Sequence, residues 1–220
     1  MGRDEDISLG AIKRYLNETE AEVEVDGPFK RVEPPFEIRP RELLEFAEYD
    51  FSHDYDHHLL NALSNAKRAI TCQIDSLLCI MLLRNRSRKE DWNFPRKVDI
   101  LNKLGIISPP ILTKVNKRRN LLEHEYRRPS EEEVEDAIGI AQLFISSTDK
   151  FLINGLGKAA FYSESRDYQI NLWLESEKSC ITVEAEYEDG TYHKRFVSID
   201  SDEYLEILAI MVGLNTEIYT

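Results

Sequence analysis

The sequence predicts an α+β protein: an irregular arm, then a four-helix up-and-down bundle, then a small antiparallel β-sheet with one covering helix. Three observations predict it. From about Tyr55 to Asn154, apolar residues recur at steps of three and four, the period of amphipathic helices. Beyond Gly157 the period drops to two, as in half-buried strands. The first fifty residues are acidic and interrupted by Gly27-Pro28 and Pro34-Pro35. The expected boundaries are therefore an arm at 1–50, a helical domain at 51–156 and a sheet module at 157–220.

Within the arm, the pattern allows a short helix from Ile7 to Leu16 and a strand from Glu22 to Val25, followed by an extended stretch. Leu60, Leu63, Ala66, Ile70, Ile74, Leu77 and Met81 then mark one face of a long helix. Arg84, Arg86 and Arg88 fall at and beyond its end, where cations complement the helix dipole. A second, short helix has Pro95 at its start and Gly105 just past its end. Ser108-Pro109 opens a third, which Pro129 stops. Ser130 with Glu133 three residues later is a capping box, and it starts a fourth helix ending near Asn154-Gly155. Short loops between four helices make antiparallel packing the natural arrangement.

In the last third, Ile170, Leu172 and Leu174 alternate with polar residues, as do Ile181, Val183, Ala185 and Tyr187. Asp189-Gly190 between two such runs signals a two-residue hairpin. That register sets Glu186 opposite His193 and Glu184 opposite Arg195. Ser201 is placed to cap a last helix whose Leu205, Leu208 and Val212 share a face.

The composition is that of an ordinary globular chain, 42% hydrophobic and 31% charged. No apolar run is long enough to span a bilayer. Met1 to Gly10 lacks the basic-then-apolar pattern of a secretory signal. Three cysteines do not form a disulfide framework, and Cys72 and Cys79 lie seven apart on one helix, too far to bond. The expected compartment is the reducing cytoplasm.

A net charge of −13 argues against a generic nucleic-acid binder, but the charge is unevenly spread. Residues 84–128 hold thirteen Lys/Arg against five Asp/Glu, a net of +8, and the rest of the chain is at −21. Such asymmetry suggests a localised anion-binding face, or else a helical segment that uses Lys and Arg as solvated cover.

The densest part of that stretch is Lys114 to Arg128, KVNKRRNLLEHEYRR. On the third helix Leu112, Val115, Leu122 and Tyr126 form an apolar stripe that includes Arg119. A guanidinium there needs a carboxylate, a subunit interface or an anionic ligand. Asn120 and His124, four apart, share the adjacent face. Arg119 and His124 are five apart, roughly 140° around a helix of 3.6 residues per turn. Two such helices about a two-fold axis would set the arginine of one protomer beside the histidine of the other.

Arg119-Asn120-Leu121-Leu122-Glu123-His124 resembles the motif of the HEPN superfamily: an arginine, a polar residue directly after it, and a histidine after four intervening residues. Tyr126, two beyond the histidine, resembles the longer form found in HEPN toxins paired with a minimal nucleotidyltransferase. The resemblance covers about Tyr55 to Asn154; roughly the first fifty and last sixty-five residues have no counterpart in it. It implies a HEPN-like four-helix bundle, a homodimer and metal-independent cleavage of RNA without a cofactor, in a toxin or phage-defence effector. It also implies Arg119, Asn120 and His124 as the catalytic set. In that chemistry His124 serves as general acid or base, Arg119 neutralises charge on the phosphate, and Asn120 orients the phosphate or the imidazole. Lys114, Lys117, Arg118, Arg127 and Arg128 would attract the RNA backbone. Tyr126 is the candidate for modification by a nucleotidyltransferase antitoxin. Some HEPN proteins only dimerise and bind, so a non-catalytic scaffold is the alternative.

Each residue also has a plainer role. His124 can cap a helix end, Arg119 can pair with Glu123 four residues on, and Tyr126 can be core. His53-Asp54-Tyr55-Asp56-His57-His58 is rich in ligand types, with His53 and His57 at i, i+4, but it also sits where a helix start favours Asp. Gly155-Leu156-Gly157-Lys158 lacks the spacing of a phosphate loop.

Overall fold

The computed structural model describes residues 7–17, 22–27, 33–106 and 128–218, with side chains up to 214. The fold is α+β. Among the described residues the elements in chain order are α1 (Leu9–Leu16), β1 (Glu22–Asp26), α2 (Pro40–Ser52), α3 (His58–Ile80), α4 (Arg84–Lys89) and α5 (Phe94–Lys103). Then come α6 (Glu131–Asn154), β2 (Lys158–Tyr162), β3 (Tyr168–Glu175), β4 (Cys180–Tyr187), β5 (Tyr192–Ser198) and α7 (Asp202–Ile218). None of these helices is long and apolar enough to cross a membrane.

The chain forms two compact units interleaved along the sequence. A sheet unit takes Met1–Val32, Ile80–Lys89 and Asn154–Thr220, and a helical unit takes Glu33–Cys79 and Glu90–Ile153. The expected boundaries at 50/51 and 156/157 are redrawn, because the described parts of the first 32 residues are integral to the sheet. β1 forms its edge, antiparallel to β2, with Glu22 opposite Tyr162 and Asp26 opposite Lys158. α1 begins at Ser8, whose Oγ accepts from the Ala11 amide at 3.1 Å. It buries Ile12 and Tyr15 completely, and the Tyr15 hydroxyl donates to the Tyr168 carbonyl at 2.9 Å.

The five strands run in sequence order β1-β2-β3-β4-β5, all antiparallel. The period-two pattern buries Phe161, Ile170, Leu172, Ile181, Val183 and Ala185 on one face. α7 lies against β1, β4 and β5 and adds Tyr204, Leu208 and Met211 to that core. Its N-terminus is capped as the sequence predicts, Ser201 Oγ accepting from the Tyr204 amide at 3.2 Å. The buried Tyr204 hydroxyl donates to the Met81 carbonyl at 2.8 Å, and burial drives its phenol far above the ordinary value, so it acts as a neutral donor.

The β4–β5 hairpin departs from the expected register by one residue. Glu186 faces Tyr192, Ala185 faces His193, Glu184 faces Lys194 and Val183 faces Arg195. The loop has three residues rather than two: the Tyr187 amide bonds the Thr191 carbonyl at 2.9 Å, and Gly190 supplies a φ of +79°. Asp189 fixes this geometry, its carboxylate accepting from the Thr191 amide at 2.8 Å and hydroxyl at 2.5 Å. The slip exchanges the faces of the basic residues. Lys194 pairs with Glu184 at 2.7 Å, and Arg195 turns to Glu203 at 2.7 and 2.8 Å and to the Ile7 carbonyl at 3.0 Å.

α4 also belongs to the sheet unit. α3 stops at Ile80, and Leu82 at φ +59° turns the chain. Instead of complementing the α3 dipole in solvent, Arg86 is buried and donates to the carbonyls of Ile199 (2.8 Å) and Ser201 (3.2 Å).

In the helical unit, α3 buries Leu63, Ala66, Ile70, Ile74 and Leu77 as its periodicity predicts; Leu60 alone of that stripe is exposed. α2 replaces the expected extended stretch, with Pro40 in its first turn and Leu43, Leu44 and Ala47 turned inward. α5 is capped by Asn93 and followed by Gly105 at φ +77°. α6 begins with the predicted capping box, Glu133 N to Ser130 Oγ at 3.2 Å and Ser130 N to Glu133 Oε2 at 3.0 Å. Polar contacts tie these helices together. Gln73 of α3 donates to Thr148 (2.8 Å) and Asp149 (3.2 Å) of α6, and Arg41 of α2 pairs with Asp149. Lys97 of α5 pairs with Asp75 of α3 at 2.7 Å, and Asn65 of α3 with Asp50 of α2 at 2.9 Å. The expected third helix, from Ser108 to Arg128, lies outside the described residues but for Arg128 itself.

Two predictions test the sheet unit. A Cβ at Gly157 would sit 1.9 Å from the Asp26 carbonyl oxygen and 2.7 Å from Val25 Cγ1. Gly157→Ala should therefore destabilise the protein by roughly 1–3 kcal/mol and speed proteolytic release of the N-terminal segment; an unchanged urea midpoint would contradict β1 docking. Hydrogen bonding to Arg195 holds the Glu203 carboxyl below its ordinary value of 4.5. A depressed folded value means stability present above about pH 4.5 and lost as pH falls through the folded value. Wild type should thus lose more stability on acidification below that point than Glu203→Gln, measured by urea unfolding; parallel curves would refute the linkage.

Candidate functional site

Arg119, Asn120, His124, Tyr126, Lys114, Lys117, Arg118 and Arg127 lie outside the described residues. Arg128 is the one predicted RNA-contacting residue that is described. It is exposed, next to buried Pro129, and the capping box at Ser130 and Glu133 sets the direction in which the chain enters α6.

Arg128 and Pro129 border a cleft of about 240 Å³ whose other wall is the turn between α2 and α3, including Asp54, Tyr55, His57 and His58. The i, i+4 spacing of His53 and His57 would suit a metal only if one helix carried both. α2 ends at Ser52 and α3 begins at His58, so none does. His57 takes a φ of +71° and its carbonyl accepts the Asn61 amide at 3.0 Å, while the His58 amide bonds the Tyr55 carbonyl at 3.1 Å. The His53 ring stacks on Tyr49, centroids 4.0 Å apart. Among the described residues, no three His, Cys, Asp or Glu side chains come together as metal ligands.

The turn has its own hydrogen-bond chain. The Tyr55 hydroxyl donates to Asp50, accepts from Asn61 at 3.3 Å, and Asp50 also accepts from Asn65 at 2.9 Å. The bond to the Asp50 carboxylate raises the Tyr55 phenol above its ordinary value. The His58 ring is tilted by 59° against Tyr55, 6.0 Å between centroids, and its Nδ1 is buried with no hydrogen-bond partner. The cleft therefore brings together a guanidinium, two imidazoles, a phenol and carboxylates. Such a set can offer the Arg128 guanidinium to an anion. Tyr55 and His58 were visible in the sequence as part of a dense titratable run. Their grouping with Arg128 was not, since it depends on how the α2–α3 turn meets the entry to α6.

No family model matches the chain, and no curated protein or solved structure is significantly similar to it.

If Arg128 contacts an RNA phosphate, Arg128→Ala should weaken binding to all single-stranded sequences alike. It should also reduce the slope of log affinity against log salt by about 0.7. An unchanged slope would remove Arg128 from the RNA interface.

Proposed function

We propose that the protein is a metal-independent RNA endoribonuclease of HEPN type that works as a homodimer built on a four-helix bundle. The observation that carries this reading is the Arg119-Asn120 pair with His124 four residues beyond Asn120, inside the one basic stretch of an acidic chain. Long α3, the short capped α5 and the α6 capping box support it, because they flank the motif as the helical plan requires.

In the proposed reaction the ribose 2′-oxygen attacks the adjacent phosphorus, losing its proton to a base, and the bond to the 5′-oxygen breaks. That oxygen takes a proton from an acid, leaving a cyclic phosphate and a free 5′-hydroxyl. RNA carries its own nucleophile, so the protein need supply only charge neutralisation (Arg119), proton transfer (His124) and orientation (Asn120). Lys114, Lys117, Arg118, Arg127 and Arg128 hold the strand by its phosphates.

A second reading, a non-catalytic HEPN scaffold that dimerises or binds RNA, is favoured by the sheet unit. Its segments are threaded before, within and after the helical unit, an investment that cleavage by the motif does not require. In a toxin, Tyr126 would be the site at which a nucleotidyltransferase antitoxin silences the enzyme.

Purified protein should cut single-stranded RNA in the presence of EDTA, and His124→Ala should lower the rate at least about 100-fold with the fold intact by circular dichroism. Undiminished cutting by that variant would exclude His124 from the chemistry. A wild-type dimer that binds RNA without cutting it would establish the scaffold reading instead.

A further inference from the structure

The cleft between the α2–α3 turn and the entry to α6 carries charges of both signs that do not meet. Asp54 and Asp56 line it from the turn and Arg128 from the other side, all three exposed. Among the described residues, none of the three has an ion pair or a side-chain hydrogen bond. A guanidinium and two carboxylates on one cleft of about 240 Å³ are thus held apart, not paired.

The backbone on each side keeps them so. Arg128 is set by buried Pro129 and the α6 capping box. The turn is fixed by the His58 amide on the Tyr55 carbonyl at 3.1 Å and the Asn61 amide on the His57 carbonyl at 3.0 Å. Tyr55 supplies a ring, 39% exposed, whose hydroxyl is anchored on Asp50 and Asn61, so it stands as a rigid plate in the cleft wall. The same wall holds the buried, unpartnered His58 Nδ1. Such atoms are rare, and each asks for an explanation; a wall completed only when a ligand settles against it is one.

We infer that this cleft binds a guanine nucleotide. Its volume is below that of pockets enclosing a drug-sized molecule and suits a single base. The base stacks on Tyr55, Asp54 and Asp56 accept from its N1–H and 2-amino group, and its phosphate meets Arg128. Guanine alone among the four bases presents two adjacent donors on that edge. Adenine and cytosine set an acceptor beside the amino group, and uracil flanks its one N–H with two carbonyl oxygens, so each turns lone pairs toward a carboxylate. The nucleotide is either free or part of an RNA strand. The site is read from binding groups alone, so it and the cleavage reading fail separately.

The test is isothermal titration of the full chain with the four 5′-nucleoside monophosphates. GMP should bind roughly tenfold or more tighter than AMP, CMP or UMP, the discrimination expected of one well-made base contact. Asp54→Asn combined with Asp56→Asn should erase that preference. Arg128→Ala should weaken GMP roughly fivefold and leave guanosine, which lacks the phosphate, unchanged. All three positions are exposed, so circular dichroism should show the variants folded. Pentamers with 2′-O-methyl riboses, which cannot be cleaved, separate the two sources: tighter binding of one with a central guanine than of GMP marks an RNA strand, and the reverse a free nucleotide. No saturable GMP binding to millimolar concentration would overturn the inference. So would equal binding of AMP, or a guanine preference that survives in the double variant.

Discussion

The sheet unit depends on one close backbone approach. β1 meets β2 through five facing pairs, across more than 130 residues of intervening chain, and only a residue without a Cβ can stand at 157 beside Asp26. Loop-closure entropy grows slowly with length, so so distant a pairing is tolerable once it is rewarded by burial. The reward is concrete: Tyr15 and Ile12 of α1 are fully buried, and Tyr15 bonds the backbone of β3. Gly155 at φ +70° ends α6 and Gly157 admits β1, which gives the Gly155-Leu156-Gly157-Lys158 run a structural role rather than a phosphate-binding one.

The helical unit is organised differently, around buried polar contacts. Gln73 is fully buried and spends its amide donors on Thr148 and Asp149, while Arg41 reaches Asp149 from α2. Hydrogen bonds of this kind contribute about 0.5–1.5 kcal/mol net, but stranding a buried partner costs about 1–3 kcal/mol. They therefore discriminate strongly against other alignments of α2, α3 and α6 while adding little to stability. The apolar stripes of α3 and α6 provide the burial, and the polar set fixes the register in which it occurs.

Much of this was legible in the residues. Helix caps are local, so Ser130 with Glu133, Pro95 with Gly105, and Ser201 all behave as read. Strand alternation identified Ile170, Leu172, Ile181, Val183 and Ala185 for the same reason, but it set Asn171 and Thr182, both fully buried, on the polar side, and Leu174 and Tyr187 are only partly buried. What was not legible is what depends on distant partners. Whether residues 22–26 form a loose arm or a sheet edge is decided by Gly157, and whether Arg86 caps α3 or is buried is decided by the carbonyls of Ile199 and Ser201. The hairpin register turned on a single side chain, Asp189, whose bonds to Thr191 favour the longer loop. α2 is a different case: Pro40, Leu43, Leu44 and Ala47 carry a readable helical pattern that the neighbouring Pro34-Pro35 obscured. Of the candidate site, Arg128 and the α2–α3 turn were each visible separately, and their juxtaposition was not.

The proposed cleavage needs Arg119 and His124 to act together, and on the helix expected from the sequence their five-residue spacing would set them too far apart on one chain to share a phosphate easily. Pairing two copies about a two-fold axis would bring the arginine of one protomer to the histidine of its partner. The most direct measurement is an experimental structure of the protein as it exists in solution, with an RNA strand or a phosphate analogue bound. The expected result is a two-fold dimer in which the Arg119 guanidinium of one protomer and the His124 imidazole of its partner both lie within hydrogen-bonding distance, about 3 Å, of one phosphate. A monomer, or a dimer in which these side chains are buried apart or open onto separate surfaces, would contradict it.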